Sequence, residues 1–150
     1  MKQVELLWQK SGTDSFYAYL PETDDRAAFI NTLKKKGLES DSGRARLCFH
    51  DSPNSSLHVM LIYHDERTKV PIHRHKPYGE YIIPVEGLTT VKFFEDQGSE
   101  KKKITLSPKP LSTPIYIPPY TWHTLVFDSP SLFYEISEGP LNVKTTEYAQ

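Results

Sequence analysis

The sequence predicts an all-β domain, a jelly roll or double-stranded β-helix, with an N-terminal arm and one helix. Three observations carry that reading. Twelve prolines stand against seven glycines, and nine of the prolines, from Pro77 to Pro140, fall in the second half. Proline is strongly disfavoured in helix interiors and central strands, so these positions mark turns and strand edges. From Arg44 onward the pattern has period two, with Arg44, Arg46, Cys48 and His50 on one side and Ala45, Leu47 and Phe49 on the other. About eight short strand candidates then follow at close spacing.

Residues 1–43 read as the arm and helix packing on the barrel, and residues 44–150 as the barrel. Two apolar runs open the arm, Val4 to Trp8 and Phe16 to Leu20, separated by Ser11-Gly12-Thr13-Asp14; both read as strands. Pro21 to Lys36 is the helix. Thr23 or Asp24 can cap it, acidic Glu22, Asp24 and Asp25 lie at its start, and Lys34, Lys35 and Lys36 lie at its end. That charge order matches the helix dipole, and Gly37 suits a left-handed cap. Ala27, Ile30 and Leu33, with Phe29 beside them, form an apolar stripe that should pack on the outside of a sheet. Barrel strands are expected at Leu57 to His64, Ile72 to His75, Glu80 to Val85, Leu88 to Glu95, Lys101 to Leu106, Pro114 to Ile117, Trp122 to Phe127 and Leu132 to Ser137. Val85-Glu86-Gly87-Leu88 and Asp96-Gln97-Gly98-Ser99 read as tight hairpins.

Composition narrows the function. The 150 residues are 37% hydrophobic and 25% charged, a globular mixture. A formal net charge of −1 argues against a general nucleic-acid binder, which needs a strongly basic face. A single cysteine, Cys48, excludes an intramolecular disulfide and any multi-cysteine zinc or iron–sulfur site. No run of residues suits a signal peptide or approaches the roughly 18 apolar residues of a membrane span. A soluble cytoplasmic protein without membrane partners is therefore expected.

The chemistry concentrates in Pro71-Ile72-His73-Arg74-His75-Lys76-Pro77-Tyr78-Gly79-Glu80. His73 and His75 are two apart on a strand, so both imidazoles project from one face. Glu80 follows a Pro-Tyr-Gly turn that can return its carboxylate beside them. Downstream, Ile117-Pro118-Pro119-Tyr120-Thr121-Trp122-His123 supplies a fourth candidate at the start of a strand. Three imidazoles and one carboxylate suit one divalent first-row metal: iron, manganese, nickel, cobalt, copper or zinc.

The spacing His-x-His, four residues, Glu, six residues, Gly87 resembles the first motif of the cupin superfamily, and Pro118 to His123 resembles the second. Arg67, Tyr120 and Phe127 stand where the superfamily usually has Gly, Gly and Asn; these departures touch turn chemistry and leave all four ligand positions in place. More closely, Arg44-x-Arg46-x-Cys48-x-His50, Pro118-Pro119-x-x-Trp122-His123 and Tyr134-Glu135-Ile136-Ser137-Glu138-Gly139-Pro140 are together similar to the WbuC family of small cupin-fold metalloproteins, over roughly residues 44 to 140. The resemblance implies a cupin barrel holding one divalent metal at His73, His75, Glu80 and His123. It also implies a setting in bacterial surface-polysaccharide biosynthesis, since members commonly sit in such gene clusters, and with it carbohydrate metabolism. Cupins of this size often pair through sheet edges, and the arm's Leu6, Leu7, Trp8, Phe16 and Tyr17 could cross to a partner's sheet, so a homodimer is expected.

Further candidates surround that set. Arg44 and Arg46 suit a pocket wall whose guanidinium forks bind a carboxylate or phosphate, and on that reading His50 could serve as acid or base. Cys48 reads as a small core residue. Glu135 shares its strand face with Phe133 and Ser137, opposite apolar Leu132, Tyr134 and Ile136, which points it to solvent. An interior Glu135 would need a metal-site or substrate partner and would then be an acid–base candidate. Tyr120 and Trp122 read as aromatic packing at the barrel mouth with room to stack on a sugar. The expected activity is isomerisation or epimerisation of a small carbohydrate or nucleotide-sugar-type substrate, which could be anionic. A non-haem iron dioxygenase and a non-catalytic metabolite-binding module are the alternatives.

Overall fold

The structure, a computed structural model, describes residues 8–10, 14–18, 26–111, 113–142 and 144–150. Among them are twelve strands and one helix, in the order β1 (Trp8–Lys10), β2 (Ser15–Ala18), α1 (Arg26–Glu39), β3 (Arg44–Cys48), β4 (Leu57–His64), β5 (His73–His75), β6 (Glu80–Glu86), β7 (Thr89–Phe94), β8 (Glu100–Leu106), β9 (Ile115–Ile117), β10 (His123–Val126), β11 (Ser131–Glu138) and β12 (Thr146–Tyr148). They form a seven-stranded sheet in the order β1-β2-β3-β4-β11-β6-β9 and a five-stranded sheet in the order β12-β5-β10-β7-β8. Pairing is antiparallel throughout except between β2 and β3. The all-β jelly roll expected from the proline and strand spacing is the fold observed.

Alternation along the strands builds two apolar layers. Between the sheets lie Met60, Ile62, Ile82, Val91, Phe93, Leu106, Ile117, Leu125, Phe127 and Phe133, with Cys48 among them. On the outer side of the larger sheet, Ala45, Leu47, Leu61, Tyr63 and Leu132 pack with Phe29 and Leu33 of α1. The helix therefore covers the sheet from outside, as its stripe predicts. The stripe itself runs through Phe29, Leu33 and Gly37, four residues apart, with Ile30 beside it, and Ala27 is exposed.

The helix ends differently from expectation. It continues to Glu39, so Gly37 lies inside it and caps nothing. Its missing side chain makes room instead: a Cβ there would lie 2.0 Å from Cδ1 of buried Tyr63. Termination falls to Arg67, whose guanidinium donates to the carbonyls of Ser40, Gly37 and Leu38 at 3.0 to 3.3 Å. The same group is held by Asp65, with Nη2 to Oδ2 at 2.6 Å. A cation on the last carbonyls complements the helix dipole. At the turn between β6 and β7, Gly87 has φ +72°, which the tight hairpin requires.

The arm folds back on its own chain. β1 pairs with β2, and β2 continues the larger sheet beside β3, with Tyr17 opposite Cys48. Residues 1–7, 11–13 and 19–25, which include Leu6, Leu7 and the expected helix cap, lie outside the described residues.

Candidate metal centre

The centre draws on both sheets. β5 carries His73 and His75 on one face, and β10 begins with His123, paired directly with His73. These three imidazoles come from the smaller sheet. Glu80 opens β6 of the larger sheet and faces them across the barrel. The four side chains offer one ligand atom each, all within 4.8 Å of one another. Bonds of about 2.0–2.2 Å would put opposed donors about 4.4 Å apart, so a few tenths of an ångström close the set on a transition ion.

The second nitrogen of each imidazole is already engaged. His73 Nδ1–H donates to the Pro71 carbonyl and His123 Nδ1–H to the Thr121 carbonyl, both at 2.8 Å. His75 Nδ1 lies 3.2 Å from Thr146 Oγ1. Carbonyls only accept, so the proton of His73 and of His123 sits on Nδ1, and Nε2 is left to face the centre. His123 Nε2 lies 2.8 Å from Glu80 Oε1, and His75 Nε2 lies 3.5 Å from Glu80 Oε2. Two proton-free donors at 2.8 Å repel unless a cation or a proton lies between them. Burial holds all three histidines below the usual imidazole range, His75 down to about 3 with the neighbouring rings adding to the effect. Neutral imidazoles are the form that binds metal. The residues present thus fit a divalent first-row ion.

Glu135 requires a correction. It points inward, toward the centre. β11 lies in the middle of the larger sheet, paired with β4 and β6, and both its faces are covered. Leu132 packs in the layer under the helix, whereas Glu135 and Phe133 face the barrel interior. Burial raises the Glu135 carboxyl to about 8, with the Glu80 charge pushing the same way. Glu80 itself is raised to about 7 by burial, against a hydrogen bond with Glu135 that acts in the opposite sense. Two carboxyls this close in a largely desolvated site resist double ionisation, a conflict that a bound cation would relieve.

A cavity of about 250 Å³ opens beside the four ligand candidates, lined by His73, His75, Glu80 and Glu135 at one end and by Arg44, Arg46 and His64 at the other. The two arginines are therefore where the alternation predicts. His64 was not singled out by sequence reasoning, although it follows Met60 and Ile62 at steps of two on an apolar strand. Three other candidates do not line this cavity. His50 lies beyond the end of β3, where its Nδ1 accepts from the Val59 N–H at 3.2 Å and its ring packs on His58 at 4.0 Å. Trp122 precedes inward-facing His123 and so turns outward, where the Arg74 guanidinium lies 4.4 Å from its ring. Tyr120 lines the same outer groove as Trp122 and adopts φ +62°, the left-handed region that favours glycine. Cys48 is buried and its thiol is pushed up to about 11, mainly by burial, so it is a core residue.

A strand without a sequence prediction completes the wall. β12 pairs with β5, which sets Thr146 opposite His75 and Tyr148 opposite His73. Glu147 turns outward and pairs with Arg74 at 2.6 Å and with Lys76. This ion-pair cluster fastens the C-terminal strand over the ligand-bearing one.

Two sheets, antiparallel but for the β2–β3 pair, enclosing a three-histidine, one-carboxylate cluster define a cupin-fold protein. Structural comparison agrees. The chain superposes on CapF bound to the inhibitor 3-isopropenyl-tropolone with a TM-score of 0.61 and 15% identity, covering 74% of this chain and 32% of that one. It superposes on the capsular polysaccharide assembling protein CapF from Staphylococcus aureus with a TM-score of 0.58 and 15% identity, covering 70% of this chain and 29% of that one. The chain thus spans about a third of these proteins' length. Residues 26–106, more than half of the chain, match the family described as "Domain of unknown function (DUF6016)", and the chain belongs to that family. Among curated protein sequences none matches. Among the described residues no helix is long and apolar enough to cross a membrane.

Proposed function

We propose that this protein is a metal-dependent cupin that acts on a small carbohydrate, with isomerase- or epimerase-like chemistry, in the assembly of a surface polysaccharide. One observation carries the reading: four ligand atoms from the two sheets converge, and three of their residues line an open cavity together with the interior carboxylate of Glu135. The likeness to a capsular polysaccharide assembling protein supports the setting. His73, His75, Glu80 and His123 would hold the ion. When bound, such an ion polarises a carbonyl or hydroxyl oxygen as a Lewis acid.

The proton work falls to Glu135 on this reading. As a carboxylate it takes the proton from the carbon beside a sugar carbonyl. As the resulting carboxylic acid it returns that proton to the former carbonyl carbon while the hydroxyl proton passes from one oxygen to the other, so aldose and ketose interconvert. In an epimerisation the proton returns to the other face of the same carbon, and in neither case is an external oxidant consumed. Substrate orientation falls to Arg44 and Arg46 at the far end of the cavity.

The test combines metal analysis with isotope exchange. Protein purified without a histidine tag should carry close to one transition metal per chain, and His75→Ala should lose it. With metal bound, solvent deuterium should enter a sugar carbon next to a carbonyl, and Glu135→Gln should abolish entry while keeping the metal. Oxygen consumption without deuterium exchange would replace this reading with a dioxygenase. Metal-dependent sugar binding with neither would leave a binding module.

A further inference from the structure

The cavity has a second pole that the metal set does not explain. In the register of β3 and β4, Arg44 lies directly opposite His64, and Arg46 lies opposite Ile62. Directly opposed side chains have Cβ atoms about 4.5–5.5 Å apart. Arg44, Arg46 and His64 therefore form one cluster on the interior face, and all three line the cavity. His64 is 5% exposed, and neither of its ring nitrogens has a hydrogen-bond partner among the described residues. Among the described residues its close ring neighbours are Phe127 and Phe133, both edge-on, at 4.6 and 5.4 Å. Arg44 Nε is likewise buried without a hydrogen bond, its nearest carboxylate oxygen, on Asp14, being 3.6 Å away.

Unmet donors are costly in a protein interior. An apolar side chain at position 64 would pack on two phenylalanines without that cost. The ion pair of Arg44 with Asp14 leaves the charge of Arg46 for the cavity, where it acts on His64, His73, Glu80 and Glu135. Guanidinium groups bind carboxylates and phosphates through paired N–H donors, and an imidazole N–H adds a third direction.

We propose that Arg44, Arg46 and His64 form an oxyanion pocket that grips the carboxylate or phosphate of a compact sugar derivative while its hydroxyl or carbonyl oxygens face the four-ligand centre. This deepens the function proposed above and rests on it for the metal end only. The volume sets the size. About 250 Å³ is of the order of one monosaccharide with one acidic group. A nucleoside diphosphate sugar exceeds it. The pocket thus suits a sugar acid or a sugar phosphate held within it, whereas the nucleotide-activated form would have to extend out of the cavity.

The test is calorimetric titration of the full chain, metal-loaded and metal-stripped, with glucuronate, glucose 6-phosphate, glucose and UDP-glucose. One of the two acidic monosaccharides should bind at least tenfold more tightly than glucose and than UDP-glucose; which of them wins tells carboxylate from phosphate. Arg46→Met and His64→Leu should each weaken that binding tenfold to a hundredfold, with metal content and thermal midpoint no lower than in the parent. His64→Gln, which keeps an N–H donor, should recover most of the loss. Metal-stripped protein should still prefer the acidic sugar, and His75→Ala should behave like it. Unchanged binding in Arg46→Met and His64→Leu overturns the pocket while leaving the metal reading intact. Tighter binding of UDP-glucose than of either monosaccharide overturns the size assignment. A protein that never takes up metal but loses acidic-sugar binding in these variants keeps the pocket and ends the metal reading.

Discussion

His64 shows what a single buried side chain reports. The ring sits among Arg44, Arg46, Asp65, Phe127 and Phe133, and burial, followed by the two guanidinium charges, lowers it to about 3. Its unfolded value is 6.5, so between pH 6.5 and 3 the unfolded chain takes a proton that the folded chain refuses. Stability must then fall as pH falls through that window and be flat above it, at about 1.4 kcal/mol per pH unit from this one group. Urea unfolding of the parent and of His64→Leu at pH 7, 6, 5 and 4 checks this, since the metal-ligand histidines contribute equally to both. The difference between the two curves should grow in favour of the variant as pH drops; parallel curves would mean that the ring is solvated. His73, His75, Glu80 and His123 were legible in the sequence because ligand chemistry needs particular residue types at particular spacings. Glu135 and His64 were less so. Both lie on strands with two covered faces, where alternation separates the faces without saying which one looks into the barrel.

The helix and the last strand mark the limit of local pattern. An apolar stripe, lysines at the end and a following glycine predict a helix closing at Gly37, yet the chain continues to Glu39 because Arg67, about thirty residues on, meets its last carbonyls. That partner is invisible to any local window. β12 was missed for a similar reason: Thr146–Tyr148 is three residues long, and its place is decided by Glu147 meeting Arg74 and Lys76 on β5. The barrel strands themselves were read nearly to the residue, since prolines and alternation punctuate them locally. Gly37 supplies a test of the tertiary reading. On propensity alone Gly37→Ala should stabilise the helix by about 1 kcal/mol. The added Cβ would instead fall 2.0 Å from a Tyr63 ring that is 2% exposed and walled in by the sheet. Overpacking of that kind costs about 1–3 kcal/mol, so the net effect should be destabilising. A lower urea midpoint with an unchanged slope is the expected result, and a higher midpoint would show that the helix does not seat against Tyr63.

For the whole molecule the question is whether the metal is a cofactor of a formed barrel or the staple that forms it. The two apolar layers answer it. Neither contains a ligand residue: one fills the space between the sheets with Ile62, Ile82, Val91, Phe93 and Phe133, and the other seats α1 through Leu33 and Leu47. The ion pairs of Glu147 hold β12 on β5 without any metal. A 150-residue chain buries enough surface for its core to stand alone. The metal-free protein should therefore be folded and cooperative, unlike small domains whose metal is their core. Binding still adds stability by mass action, about 2.7 kcal/mol when free metal exceeds its dissociation constant a hundredfold. For a domain of this length each kcal/mol moves the melting point by about 2–4 °C, so saturation should raise it by about 5–11 °C. The shift should vanish in His75→Ala, whose own metal-free melting curve should resemble that of the stripped parent. Calorimetric scans of loaded, stripped and His75→Ala protein decide the matter. Loss of the transition on stripping would make the four ligands a structural staple, and identical melting points with and without metal would mean that they do not close on an ion at all.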